Sequence, residues 1–587
     1  MASRATAVVF LIVAYGALLR LDAITSTYGP VTSPGWLRAV QEWRTGPSLL
    51  RPDAVRWDPA PVFSHADGPP SRYRSDPYTY LRYAREMDSF YAAHRREPIF
   101  PYATKVWLRL LDGQDVAVSF ASAAFSVLAI VLTYLLGATL FTPAVGLAAA
   151  FLLAIEYDAI TYGIEGWRDD AFTSAVLLTA LAMVRYMRDP TRAHALALGL
   201  IAGAACLIRI TALSFIVPGF AVLAFAIGDR WNLRLPRLGI ALAALSITVG
   251  PFLWNCWRTF GDPFYTINVH ADVYREAEGQ AARQESVSQY LAAHLRREPI
   301  ATIDTVALGL TQYPFVNKWR GFDRWMPHAG RALSWLAIAG LFLFVASREG
   351  RLALVVLAGS LIPYAATWRV MADWRFTMHA YPFFLIAAAA AVIVPVHVVR
   401  RIGNAKPGER WQPSRRAVFA GVAIVLTAIA GWVLLWRVAP ALVFAESIRL
   451  GDPATIRSGE RDRPFFDDEW SEVVTSGTVT TRVARTSRGS LSLGLTRGPE
   501  YEGLARLDPS PVPMRPGEAA APVHVLLNGR MIGMCDPAST PERIGVCRFV
   551  IPSDAVRDGS NKLTFAGARP IEGLRLWYLR IQKRGAA

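Results

Sequence analysis

The sequence predicts a polytopic α-helical membrane protein of about eleven spans that ends in a β-sandwich. Long apolar runs recur through the first three quarters of the 587 residues, for example VAVSFASAAFSVLAIVLTYLLGATLF and VFAGVAIVLTAIAGWVLLW. The chain is 53% hydrophobic and only 18% charged, with a mean hydropathy of +0.27. A soluble chain of this length carries closer to a quarter charged residues and lacks such runs. After about residue 450 the apolar residues instead alternate over short distances, which is the period of strands.

Crossing the hydrocarbon core takes roughly 20 residues of helix. Spans are expected near 7–24, 116–140, 143–162, 170–187, 194–209, 211–228, 238–257, 331–347, 352–368, 377–397 and 417–437. With a cytoplasmic N-terminus, the short loops carrying Arg185/Arg188/Arg192, Arg230/Arg234/Arg237, Arg348/Arg351 and RRIGNAKPGERWQPSRR all fall on the N-terminal side. That agreement with the positive-inside rule supports the count. The other side receives the loops 25–115 and 258–330 and everything after 438, so most of the extramembrane mass is expected to be exoplasmic. The first run is not followed by a small-residue cleavage site and reads as a retained anchor. The implied location is a bacterial-type inner membrane with a periplasmic C-terminal part. The net charge of +16 is met by arginines facing anionic lipid, and nucleic acid is excluded as a partner.

The chain divides into a membrane domain, 1–445, and an exoplasmic sandwich domain, 446–587. In the latter, VHVLLNG, CRFVIP, KLTFAG and LRLWYLRIQK are separated by turn signals such as LNGRMIG and RDGSN. The string VHVLLNGRMIG…FVIPSDAVRDGSNKLTF resembles sandwich modules of the jelly-roll or carbohydrate-binding kind, although a structural lid or assembly surface fits the pattern as well. Cys535 and Cys547 lie in this exported part, where a disulfide is favoured over a metal, because two thiols alone make a poor zinc site. Cys206 and Cys256 fall in spans and read as small buried apolar residues.

Three polar clusters flank span ends on the exoplasmic side. They are Asp76 in SDPYTYLRYA, the turn EGWRDDAF with Glu165, Asp169 and Asp170, and MADWRFTMHAYP with Asp373, Arg375, His379 and Tyr381. An ionisable residue at the membrane margin is costly unless paired or functional. The plainer readings are that Asp76 caps a helix, that Asp169 and Asp170 complement a helix dipole, and that the arginines snorkel to headgroups.

The order of these motifs resembles the GT-C superfamily of membrane glycosyltransferases, which use polyprenyl-phosphate-linked sugars. DPYTYLRYA is similar to the first-loop motif of oligosaccharyltransferase catalytic subunits, and EGWRDDAF to their second acidic motif. WRFTMHAYPFF and WRTFGDPFY resemble elements of the branch that uses lipid-phosphate monosaccharides. The resemblance spans about residues 1–437. It implies Asp76, Asp169 and Asp170 as catalytic acids, with Asp76 as the base. Arg375, Arg209 of LIRITAL and His379 would hold the donor phosphate, and Tyr78, Tyr80, Arg82, Glu165 and Trp167 would contact substrate. In an oligosaccharyltransferase-like enzyme, Asp76, Asp169, Asp170 and Glu285 of RQESVSQY would share a divalent cation, magnesium or manganese. No organic cofactor is implied.

The chain departs from the family in two respects. It has no WWDYG string, and it lacks the paired Asp-Glu that opens the first loop of protein O-mannosyltransferases. These departures favour a monosaccharide donor and a cell-envelope glycan, lipid or protein acceptor over transfer to a peptide sequon. Oligosaccharide transfer to protein is the alternative within the class. Outside it stand a flippase, for which internal repeats and broken mid-membrane helices are expected, and a non-catalytic envelope-assembly protein.

Overall fold

The computed structural model describes residues 2–29, 57–66, 68–225, 231–278, 285–316, 328–367, 374–403, 427, 429–459, 461–471, 473–476, 479–485, 488–508, 522–535, 545–567 and 574–585. It forms two compact units, Met1–Leu291 with Leu308–Gln412, and Ala292–Ala307 with Pro413–Ala587. Asp373, the string NKWRGFDRW and most of the basic stretch 400–416 lie outside the described residues.

The first unit is helical. Among the described residues, seven helices are long and apolar enough to cross a membrane, and a bent pair makes eight; the protein is an integral membrane protein with several spans. The seven are Ala5–Tyr28, Ala117–Leu140, Asp169–Arg188, Leu235–Phe260, Arg348–Ala366, Arg375–Val396 and, in the second unit, Ile429–Leu450. The bent pair is Pro143–Ile155 and Tyr157–Ile164, which meet at 60°. Glu156 at the break is extended and its carboxylate accepts from the Ala159 amide, so one acid ends the first helix and caps the second. Three expected spans are shorter apolar helices, Arg192–Ile208, Ile210–Phe225 and Ala329–Val345. The first two are divided at Arg209, whose extended backbone (φ −158°, ψ 115°) interrupts the run.

Small residues allow these helices to approach closely. A Cβ on Gly146 would lie 2.4 Å from the Tyr134 carbonyl oxygen, so Pro143–Ile155 can cross Ala117–Leu140 only with glycine there. In the first loop, β1 (Phe63–His65) and β2 (Gly68–Ser71) pair and precede the helix Ser75–Glu86.

The second unit contains the sandwich. Its strands are β3 (Ala454–Arg457), β4 (Val474–Ser476), β5 (Val479–Val483), β6 (Arg488–Leu495), β7 (Tyr501–Asp508), β8 (Val523–Leu527), β9 (Arg530–Cys535), β10 (Gly545–Ile551), β11 (Gly559–Gly567) and β12 (Arg575–Lys583). One sheet runs β10-β7-β12-β5-β4 with β3 on β12, and the other runs β6-β11-β8-β9. Alternation fills the interior: Tyr501, Ala505 and Leu507 of β7 pack with Leu491, Leu563 and Phe565 of the facing sheet. Within the same unit the Glu446 carboxylate accepts from the amides of Ile300 and Ala301, at 3.1 and 2.7 Å, holding the N-terminus of the helix that starts at Pro299.

Cys535 and Cys547 form a disulfide, with Cα atoms 5.3 Å apart, that joins β9 to β10 and so one sheet to the other. Closing a loop with a sequence separation of 12 restricts the unfolded chain by about 3 kcal/mol. Cys547→Ser is therefore expected to lower the thermal midpoint of the second unit, read by differential scanning fluorimetry under non-reducing conditions. Adding reductant to the wild type should shift it by a similar amount.

Candidate active site

The helix Ser75–Glu86 begins at a residue with positive φ, Ser75 at 55°, a strained start for a residue other than glycine. Asp76 stands in the first turn, yet no side chain caps this helix, and the Asp76 carboxylate turns to Arg96, which donates to Oδ1. Arg375 Nη1 is 4.0 Å from Oδ2. Burial pushes the Asp76 carboxyl up, but the guanidiniums of Arg96, Arg168, Arg375 and Arg209 outweigh it and hold the group below its ordinary value of 3.8. The group is a carboxylate at neutral pH.

Glu97 ties three segments together. Its carboxylate accepts from Arg168 of the EGWRDDAF turn and, at 2.8 Å, from the Ile210 amide at the break between two helices. Arg209 ion-pairs with Asp169 at 2.9 Å and donates to the Tyr364 hydroxyl at 2.6 Å. The Tyr80 ring lies beneath the guanidiniums of Arg96 and Arg168, at 5.7 and 6.0 Å. Arg375 lies over the Trp167 ring at 3.9 Å, and Trp167 Nε1 donates to Glu165 at 2.7 Å. The aromatic rings hold the arginines in place by cation–π contact while leaving N–H groups for other acceptors.

Gly166 makes this turn possible. Its φ is +83°, and a Cβ there would meet Val118 Cγ1 at 2.9 Å. Gly166→Ala is expected to lower the melting temperature by several degrees and to disturb the Trp167–Arg375 stack; an unchanged melting curve would refute this account of the turn.

Several of these groups border a cavity of about 820 Å³. Asp76, Glu97, Arg96, Arg168, Arg209 and Arg375 supply the charged part of its wall. Four arginines face the three carboxylates Asp76, Glu97 and Asp169, which leaves net positive charge at the site. Ile267, Val273, Leu291 and Ile362 give the rest of the wall an apolar surface. His270 also lines it; burial, with Arg96 and Arg168, pushes its imidazole down to about 4, so it is neutral at pH 7. The arrangement suits an anionic head group with an apolar tail.

Of the candidates drawn from the sequence, Asp76, Arg209 and Arg375 line this one cavity, and Asp169 stands behind Arg209. Asp170 does not line it. It bonds Ser126, which also accepts from Arg20 Nε at 2.8 Å, and it borders a void of only about 10 Å³. His379 is 2% exposed, its ring packed edge-on against Phe172 at 5.1 Å, and it does not line this cavity. Tyr80, Glu165 and Trp167 position arginines and are not part of the cavity wall. Tyr78 and Arg82 line a second cavity of about 590 Å³ with His65, His94, Arg95 and Phe260. Positions two and six residues after Asp76 lie about 200° and 240° around the helix from it, which puts them on its far side.

The four carboxylates expected to share a cation do not converge. Asp76 is taken by Arg96, Asp169 by Arg209, and Glu285 by Arg275 at 2.9 Å, while Asp170 lies in the separate Arg20 cluster. Among the described residues no three His, Cys, Asp or Glu side chains form a metal-ligand group. A donor set already neutralised by guanidiniums does not fit a hard divalent cation in this arrangement.

Arg96, Glu97 and Arg168 were not among the expected site residues. Arg168 sits inside the quoted turn, and Arg96–Glu97 precede Pro98 in an otherwise unremarkable polar stretch, so only the buried pairing across 71 positions reveals them.

Residues 95–254, roughly a quarter of the chain, match the model of the dolichyl-phosphate-mannose-protein mannosyltransferase family. That segment contains Arg96, Glu97, Arg168, Asp169 and Arg209. Among solved structures, the apo oligosaccharyltransferase of Archaeoglobus fulgidus is similar over 73% of this chain and 55% of its own, with 17% identity and a TM-score of 0.38. The chain thus spans about half the length of that protein. ArnT from Cupriavidus metallidurans, in its structure bound to undecaprenyl phosphate, is similar over 64% of this chain and 69% of its own, at 15% identity and a TM-score of 0.37. Arabinosyltransferase EmbB from Mycobacterium smegmatis is similar over 87% of this chain and 62% of its own, at 11% identity and a TM-score of 0.28. At such TM-scores none of these likenesses decides anything. No curated protein matches the chain in sequence.

Proposed function

We propose that this chain, a membrane glycosyltransferase of the GT-C class by the family that its residues 95–254 match, moves a single sugar from a polyprenyl-phosphate donor to a cell-envelope acceptor on the exoplasmic face. The observation that carries this reading is one cavity in which Asp76 and four arginines share the wall with an apolar surface. The donor phosphate would sit against Arg375 and Arg209, with the lipid chain along the apolar wall. The acceptor hydroxyl would approach from the side of Asp76.

In the transfer, the acceptor oxygen bonds to the anomeric carbon as the bond from that carbon to the phosphate oxygen breaks, with inversion. The leaving phosphate gains negative charge, which the fixed guanidiniums offset without reorganising. The proton passes to Asp76. A carboxylate held below its ordinary pKa is a weak base, so it takes the proton late, when the acceptor oxygen has become strongly acidic. No step passes through a metal. A mannosyl or other monosaccharide donor suits the family match, and the absence of WWDYG argues against a peptide sequon.

Support for an eleven-span topology comes from the apolar helices, counting the short ones, at the first ten expected places, from the helix Ile429–Leu450, which meets the eleventh (417–437) only from residue 429 onward, and from the basic loops that fall on one side in the sequence. On that topology the membrane domain 1–445 catalyses, and the sandwich 446–587 stands on the acceptor side. The test is reconstitution in lipid with a panel of polyprenyl-phosphate sugars, following release of polyprenyl phosphate. Turnover of at least one donor is expected; no turnover of any, with the donors bound, would overturn the reading.

A further inference from the structure

We propose that the outer face of the six-stranded sheet is a binding surface for an acidic glycan, a sugar chain bearing carboxylate or phosphate groups. The strand register builds this face. One row across β10, β7, β12 and β3 is Val546, Arg506, Tyr578 and Arg457; the next is Arg548, Leu504, Arg580 and Thr455. Their neighbours in sequence, such as Ala505, Leu579 and Ile456, point into the core, so these side chains point outward. The arginines therefore zigzag across four adjacent strands in the order Arg548, Arg506, Arg580, Arg457. Diagonal neighbours of this kind stand about 7–8 Å apart.

Neither row contains an acid, and none of the four guanidiniums makes an ion pair with a described carboxylate. Asp462, whose carboxylate accepts from the Arg457 amide at 2.7 Å, balances charge only at the Arg457 end, and Glu502 lies one row further on, opposite Val550 and Gln582 and diagonal to Arg548 and Arg580. The three central arginines, Arg548, Arg506 and Arg580, outnumber the nearby Glu502 and repel one another at this spacing, and a polymer that brings anions to them relieves the repulsion. Arginine also forks onto carboxylate or phosphate in a fixed geometry that lysine does not offer.

The register slips between Leu576 and Tyr578, so β12 carries a bulge that brings two successive aromatic residues, Trp577 and Tyr578, to partial exposure. Arg506 lies over the Trp577 ring at 4.7 Å. An aromatic face set among arginines suits a sugar ring flanked by acidic groups. A lipid surface would be met by exposed apolar side chains, and on these two rows Val546 is the only one of the exposed class. The surface belongs to the second unit and is independent of the catalytic reading.

The test uses the full-length protein in neutral detergent with three probes: polygalacturonate, neutral dextran, and vesicles of phosphatidylglycerol. Polygalacturonate is expected to bind and dextran not. Arg548→Ser with Arg580→Ser should weaken polygalacturonate at least tenfold and flatten its dependence on salt, because fewer counterions are released. Trp577→Ala should weaken binding at every salt concentration and leave that slope unchanged. Equal binding by the double variant, equal binding of dextran, or arginine-dependent binding of vesicles without polygalacturonate would each overturn the proposal. Unchanged thermal midpoints show that the surface variants are folded.

Discussion

Asp76→Asn is expected to cut sugar transfer by about 10²–10⁴-fold, the range over which a positioned proton acceptor contributes. The amide keeps an oxygen for Arg96 but cannot take the acceptor's proton. Donor binding should persist, because the arginines remain, so the loss appears in kcat with the donor KM little changed. The same assignment fixes the sign of the pH response. A carboxylate whose pKa is lowered from 3.8 stays ionised as pH falls through 5 and loses its charge only below its ordinary range. No acid limb from Asp76 is therefore expected between pH 5 and 7. The Asp76–Arg96 pair likewise contributes stability that is present at neutral pH and lost only under strong acid. A fully active, folded Asp76→Asn enzyme would remove the base from the mechanism.

Arg375→Ala is expected to lower transfer by about 10²–10³-fold, the cost of removing one preorganised partner of a developing negative charge. Here donor affinity should fall as well, since the phosphate is charged before and after the bond breaks. Arg375→Lys should recover little of the loss. A lysine keeps the charge but cannot stack flat on Trp167, where the guanidinium now lies 3.9 Å from the ring. If Arg375→Ala left the donor KM unchanged and the lysine variant were fully active, Arg375 would only be neutralising local charge.

That the chain crosses a membrane several times was legible because an apolar run of roughly 20 residues matches the thickness of the hydrocarbon core and exceeds what a soluble core helix needs. Its details were not. Arg209 and Glu156 interrupt runs whose average hydropathy hides the break, because one charged residue barely lowers a window mean. Asp76, Arg209 and Arg375 could be singled out as charged groups at span ends. Their buried partners could not, since Glu97 meets Arg168 and Ile210 only through folding. Adjacent acids were a particular trap. Asp169 and Asp170 start the same helix about 100° apart, so one faces Arg209 and the other the Arg20–Ser126 cluster. The same geometry carries Tyr78 and Arg82 away from Asp76 into a different cavity. Sequence proximity gave the neighbourhood, and helical phase decided which members share the site.

The most direct test of the central claim is the binding of a polyprenyl phosphate, compared with the same polyprenol lacking the phosphate, to the wild type and to Arg209→Ala/Arg375→Ala in neutral-lipid nanodiscs. A cavity with an arginine-lined head and an apolar wall predicts that the wild type binds the phosphate at least tenfold more tightly than the alcohol, and that the double variant loses this preference while keeping its affinity for the alcohol. Equal affinity of the wild type for both lipids, or a preference that survives in the folded double variant, would contradict it.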